Sequence, residues 1–196
     1  MIIMKLQICT GDASDRRYCL VTSHPSRLSY PLSHGRDART AFDELDLAAV
    51  RLDLDEAGGG LALPDMVGND LNYLILRRPC ADVLRERFAL GPHDALPASL
   101  FTRKERLHAD DYVILNPLGK VDCLDIERSD MDDDGDDEPT VQLFGTFMLD
   151  RRRIPADRDI FRVRGVPLGY MFSERLVDFI RAQGYTNFVF KPVALS

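Results

Sequence analysis

The densest chemistry in this chain lies between Asp130 and Glu138, where Asp130, Asp132, Asp133, Asp134, Asp136, Asp137 and Glu138 place seven carboxylates in nine residues. Oxygen ligands at alternate positions with glycine at the sixth open a calcium loop of the EF-hand type, and Asp130-Met131-Asp132-Asp133-Asp134-Gly135 fits that opening. An EF-hand also needs a bidentate glutamate at its twelfth position and helices on both flanks. The twelfth position is Val141, the tenth is Pro139, and the flanks read as strands, so an EF-hand is excluded. Three readings stay open: a solvated acidic connection whose charges repel one another, a calcium loop of another kind, and an electrostatic surface that steers a basic partner.

Other candidate chemistry is sparse. His24, His34, His93 and His108 sit in polar contexts without a paired ligand motif. Cys9, Cys19, Cys80 and Cys123 are widely spaced, form no C-x-x-C pair, and read as small buried hydrophobes. Gly58-Gly59-Gly60 lacks the lysine and following helix of a phosphate cradle and reads as a flexible hinge. Asp122 and Asp125 could form a carboxylate pair, but on a strand residues three apart point to opposite faces. Arg151-Arg152-Arg153 could meet phosphate, although arginines between strands more often cap a turn or pair with nearby carboxylates. No nucleophile elbow, Walker loop or dinucleotide fingerprint is present. The expectation is a protein with no catalytic residues, no cofactor and no metal centre, so not an enzyme.

Charge distribution points the same way. The chain carries −7, and the stretch from Asp122 to Glu138 alone carries −9, which leaves the remainder near +2. Direct nucleic-acid binding, which shows as a clustered basic face, is not expected. No apolar run reaches the roughly 20 residues of a membrane span. The N-terminal stretch is interrupted at Lys5 and Gln7 and has no basic lead or cleavage site, so it reads as a first strand and not a secretory signal. A soluble, cytoplasmic protein is expected.

The elements that would position the acidic tract read as one α+β domain over residues 1–196: mostly antiparallel sheet with a few short helices packed on one side. Ile2–Thr10 and Tyr18–Thr22 read as paired strands, His24–Arg39 as an irregular connection, and Asn72–Leu76 as a short strand. The stretch from Phe42 to Leu54 fits neither period. Pro79 suits a helix first turn, Val83, Leu84, Phe88 and Ala89 share a face, and Gly91 supplies a stop. Leu96–Phe101 reads as extended. Tyr112–Leu115 is a strand, and the turn residues Asn116–Lys120 suggest that Val121–Ile126 returns beside it as a hairpin. Val141–Leu149 and Asp159–Val163 read as strands. Ser173 caps a helix that runs through Gln183 and stops at Gly184, and Phe188–Phe190 is a final strand. Tyr73–Phe101 and Tyr170–Val193 share one pattern, an extended piece, a helix, a glycine and a strand.

The order of short pieces over about residues 60–193 resembles the myxobacterial-type immunity proteins of bacterial polymorphic toxin systems (immunity family eleven). The resemblance lies in Tyr112–Asn116, Val121–Asp125, Ser129, Leu149-Asp150, Ile154-Pro155, Ile160–Arg162, Phe172–Leu176 and the Gly184–Val193 segment, with Leu63–Asp65 and Leu96-Pro97 upstream. It implies an antidote that binds and blocks a cognate toxin delivered by a type VI or contact-dependent system, and it carries no catalytic residues. The acidic insert at 130–138 departs from that pattern. Combined with the absence of a signal sequence, the resemblance implies a cytoplasm-acting toxin, and a basic toxin cleft would accept the tract as a phosphate mimic.

Overall fold

The computed structural model describes residues 2–8, 15–23, 32, 34–38, 50–132, 140–142, 145–167 and 169–196. Eleven strands and two ten-residue α-helices are present among them: β1 Ile3–Gln7, β2 Leu20–Ser23, β3 Val50–Leu54, β4 Met66–Asn69, β5 Leu74–Arg77, α1 Arg78–Arg87, β6 His93–Phe101, β7 Leu107–Pro117, β8 Met148–Leu149, β9 Ile160–Phe161, β10 Tyr170–Ser173, α2 Glu174–Gln183 and β11 Val189–Leu195. The α+β class holds. The strands form a closed barrel in the order β2-β3-β6-β7-β5-β4 and a five-stranded sheet in the order β8-β11-β1-β10-β9.

Burial explains why some strands alternate and others read as unbroken apolar runs. The β6 strand buries every second residue, with Leu96, Ala98 and Leu100 pointing into the barrel. Its outer face is left part-exposed, so the period of two is visible in the sequence. The β5 and β7 strands are buried on both faces. Ile75, Tyr112 and Ile114 fill the barrel, while Leu74, Leu76, Val113 and Leu115 pack outward under the helices. A strand covered on both sides loses its alternation.

Both helices insert into the same outer core. Cys80, Ala81 and Leu84 of α1 meet Leu176, Val177 and Ile180 of α2 in one cluster with Leu6, Tyr170 and Phe172 from the sheet. The local signals at α2 act as read: the Ser173 hydroxyl accepts from the Leu176 amide, and Gly184 closes the helix with φ +68°. The two similar segments also share a topology. The β5-α1-β6 unit has β7 antiparallel between its strands, and the β10-α2-β11 unit has β1 antiparallel between its own.

Polar ties hold sheet and barrel together. Buried Arg162 donates to the Leu32 carbonyl and the Tyr170 hydroxyl, and that hydroxyl donates to the Asn72 carbonyl at 3.1 Å. Asp65 accepts from the amide and hydroxyl of Thr186, both at 2.8 Å. Asp94 and Asn116 bind the Ala38 amide and the Arg36 carbonyl, which fixes a buried piece of the expected irregular connection across the barrel.

Four expectations fail here. The β1 and β2 strands do not pair: β1 is the middle strand of the sheet, between β10 and β11, whereas β2 lies in the barrel beside β3 and β4. Val121–Ile126 does not return along β7, because β5 and β6 already occupy both edges of that strand. Instead Val121 bridges Val163 and Leu124 bridges Leu149. Among the described residues of the expected Val141–Leu149 strand, only Met148–Leu149 is strand, with Val141 bridged singly to Met131. Finally, Gly58-Gly59-Gly60 is a close-packed turn. Gly60 donates to the Tyr18 carbonyl, and a Cβ on it would lie 2.2 Å from the Arg17 carbonyl oxygen. Glycine is required there by the approach of two backbones and not by hinge motion.

Candidate functional site: the platform beneath the acidic tract

The described residues on either side of 133–139 meet in a closed neck. Met131 and Val141 form an antiparallel bridge, and the Asp132 amide donates to the Thr140 carbonyl at 2.7 Å. One residue earlier, the Asp130 carboxylate accepts from the Thr146 amide at 2.8 Å and from the Thr146 hydroxyl at 2.7 Å. The Gln142 side chain donates to the Met131 carbonyl. Gly145 permits this crowding, since a Cβ there would sit 2.8 Å from Asp130 Cβ.

The neck stands on a third apolar cluster, on the face of the five-stranded sheet opposite the helices. Buried Cys123, Leu124, Val141 and Leu149 pack there against Ile3 and Phe161, with Met131 half-buried beside them. The described residues between 121 and 166 are joined by single bridges and two-residue strands and not by long strands. A 3-10 turn, Ile126–Arg128, projects beside the neck and is held by the Ser129 hydroxyl, which donates to the Asp125 carbonyl at 2.6 Å.

Of the seven tract carboxylates, the structure describes Asp130 and Asp132. Asp133, Asp134, Asp136, Asp137 and Glu138 lie outside the described residues. Asp130 acts as a clamp: the Thr146 side-chain and backbone hydrogen bonds hold its carboxyl below the ordinary aspartate range. Asp132 is exposed and its carboxylate has no partner among the described residues. Extended, bridged flanks at Met131 and Val141 exclude the two helices of an EF-hand on structural grounds as well.

Around the neck the charges sort into used and unused. Asp122 pairs with Arg153, Asp150 with Arg152 at 3.0 Å, and Asp125 with Arg128 at 4.0 Å. Arg151–Arg153 form a 3-10 turn whose N-cap is Asp150, so two arginines of the basic cluster serve neighbouring carboxylates, as expected of arginines at a turn. Asp122 and Asp125 are not on a strand, and each faces a different arginine. The Glu127 carboxylate, like that of Asp132, is exposed and unpaired among the described residues. Between the two 3-10 turns lies a shallow groove of about 370 Å³, bordered by Asp125, Glu127, Arg128, Arg152 and the C-terminal Ser196. On its rim Ile126 is 50% exposed, an apolar side chain set among charges. Sequence reading passed over Ile126 and Thr146, because a lone isoleucine and a lone threonine carry no motif.

The remaining sequence candidates do not gather into a site. Among the described residues no group of three or more His, Cys, Asp or Glu could hold a metal ion. His93 bonds the Gly91 carbonyl, and His108 the Leu61 carbonyl. His24 and Cys9 lie outside the described residues. Cys19, Cys80 and Cys123 are buried free thiols, pushed up by burial to about 11, about 12 and about 12, which makes them poor nucleophiles. No described helix is long and apolar enough to cross a membrane.

A scan against known protein families finds no match for this chain, and a search of curated proteins finds none either.

The clamp makes a direct prediction. Replacing Asp130 with alanine should speed amide exchange at Thr146 and Gln142 while the barrel amides of β7 keep their protection. Equal protection of Thr146 in variant and parent would show that the carboxylate does not close the neck. Because the Asp130 carboxyl is held low, its contribution is complete above the ordinary aspartate range and fades as pH falls through the depressed value.

Proposed function

We propose that this chain is an immunity protein that binds a cognate secreted bacterial toxin and occludes its active site. The observation that carries the proposal is the pinned neck that closes the acidic tract at Met131 and Val141, with exposed Ile126 alongside and the carboxylates of Glu127 and Asp132 unpaired among the described residues. A protein partner needs such a surface more than it needs a pocket. Concentrated negative charge accelerates encounter with a basic surface and sets its orientation, and an apolar side chain inside a charged rim can become a buried anchor. The ordered pieces that resemble the immunity family support the same reading. In this account the toxin is basic, acts in the cytoplasm on nucleic acid or another anionic substrate, and is delivered in type VI or contact-dependent competition between bacteria.

The test is co-expression with the C-terminal domain of a large secreted toxin encoded immediately upstream of this chain. The reading predicts survival of the expressing cells and a complex that persists through size-exclusion chromatography. Death of the cells with no complex would overturn it. The other use of the tract, a calcium-regulated interaction module, predicts heat on calcium titration; the immunity reading predicts none.

A further inference from the structure

The chain builds its positive charge almost entirely from arginine: 21 of its 25 cationic side chains are Arg and four are Lys. Two of those four lysines face one another. Lys5, on the middle strand of the five-stranded sheet, is the direct antiparallel partner of Lys191 on β11, so the side chains project from the same face. Directly opposed like charges destabilise a sheet, with Cβ atoms only about 5 Å apart. Neither lysine forms an ion pair among the described residues. On its other side Lys5 faces buried Met171, and its ammonium lies 5.4 Å from the centre of the Phe147 ring. Gly169 makes room for it, since a Cβ there would come within 2.9 Å of Lys5 Cε.

Arginine in either position would stay charged at any accessible pH, whereas lysine can relieve the conflict by giving up its proton. A half-buried lysine beside a second cation is the arrangement that turns an ammonium into a nucleophilic amine. Lys5 is the member whose ammonium gives up its proton more readily, because it is the more enclosed of the two. Burial first, and the Lys191 charge second, push its ammonium below the ordinary lysine range. Lys191 is exposed at the edge of the site, placed to hold an anion.

We propose that Lys5 is an acylation site for small acyl phosphates, with Lys191 holding the phosphate of the donor. The Lys5 Nζ lone pair attacks the acyl carbon, an amide C–N bond forms, and the C–O bond to phosphate breaks with its electrons leaving on phosphate. The surplus proton on nitrogen passes to the departing phosphate or to water. The neutral amide removes one charge of the opposed pair, so the product relieves the repulsion that activates the amine. This site does not depend on the toxin reading.

The experiment treats the folded full chain with acetyl phosphate and maps acetylated lysines by mass spectrometry over time. Lys5 is expected to react several-fold faster than exposed Lys104 and Lys120, with the advantage widening as pH falls from 10 to 7.5 and vanishing in urea. Lys191→Gln should slow the reaction of Lys5 and Lys191→Arg should preserve it. Acetylation of Lys5 no faster than that of Lys104 and Lys120 in the folded chain would overturn the proposal. So would an undiminished Lys5 rate in a folded Lys191→Gln chain.

Discussion

Replacing Asp159 with alanine is expected to destabilise the protein by about 2–4 kcal/mol, the cost of removing a buried, multiply bonded carboxylate. Asp159 is 1% exposed and lies where the two strand-helix units meet. One carboxylate oxygen accepts from the Ala89 amide beyond the end of α1 at 2.9 Å, and the other accepts from the Ser173 hydroxyl that caps α2. Arg175 approaches both oxygens with its guanidinium, its Nε at 2.6 Å. Removal leaves the Ala89 N–H without its acceptor and loosens the α2 cap, whereas the Arg175 side chain, 63% exposed, can turn to water. The loss therefore comes from the buried donors and not from the salt bridge itself. Urea unfolding at pH 7 measures it, and a change under about 0.5 kcal/mol, the usual span of a neutral surface substitution, would contradict the assignment.

The same residue sets a pH dependence. Burial alone would raise the Asp159 carboxyl, but the hydrogen bonds from Arg175, Ser173 and the Ala89 amide outweigh it and hold the group below its ordinary value. A carboxyl depressed by folding stabilises the native state above the unfolded pKa, about 3.9 for aspartate, and that contribution is lost as pH falls through the folded value. The parent should lose stability through this acid window more steeply than the Asp159→Ala chain.

What could be read in advance was local. The α2 helix was legible to the residue because Ser173 and Gly184 are short-range signals. The face expected of α1 was not: only Leu84 of it is buried in the helix, Phe88 and Ala89 lie past its last residue Arg87, and Cys80 and Ala81 take the inward positions. Barrel closure was not legible. It depends on the parallel pairs β2–β4 and β3–β6, whose partners lie about 50 residues apart in the chain, and no turn residue announces such pairing. The failed hairpin after β7 has the same origin: Asn116–Lys120 does turn the chain, but a turn cannot reveal that both edges of the preceding strand are already taken. At the candidate site, composition exposed the tract but not its support. The Asp130–Thr146 clamp spans 16 residues, and the Met131–Val141 bridge closes a segment that reads as charge repulsion when taken residue by residue.

The largest functional effect is expected from neutralising the tract. Changing Asp132, Asp133, Asp134, Asp136 and Asp137 to asparagine removes five negative charges and takes the net charge from −7 to −2, with little change in side-chain volume. The clamp at Asp130 and the bridge beneath it stay intact, so the fold should be preserved, with the same urea midpoint as the parent. If the tract steers a basic toxin, association at low ionic strength should slow by about 10- to 100-fold. Added salt should erase most of that difference, since charges separated by more than about 8 Å are screened at physiological ionic strength. Dissociation should change less, because close apolar contacts such as that expected of Ile126 set residence time more than distant charge does.

Stopped-flow association of the parent and the five-asparagine chain with the cognate toxin domain, at low and at physiological salt, tests the central claim most directly. The account predicts a salt-dependent association rate for the parent and a slow, nearly salt-independent one for the variant, with weakened protection in cells. Identical association rates and identical protection for the two chains would contradict it.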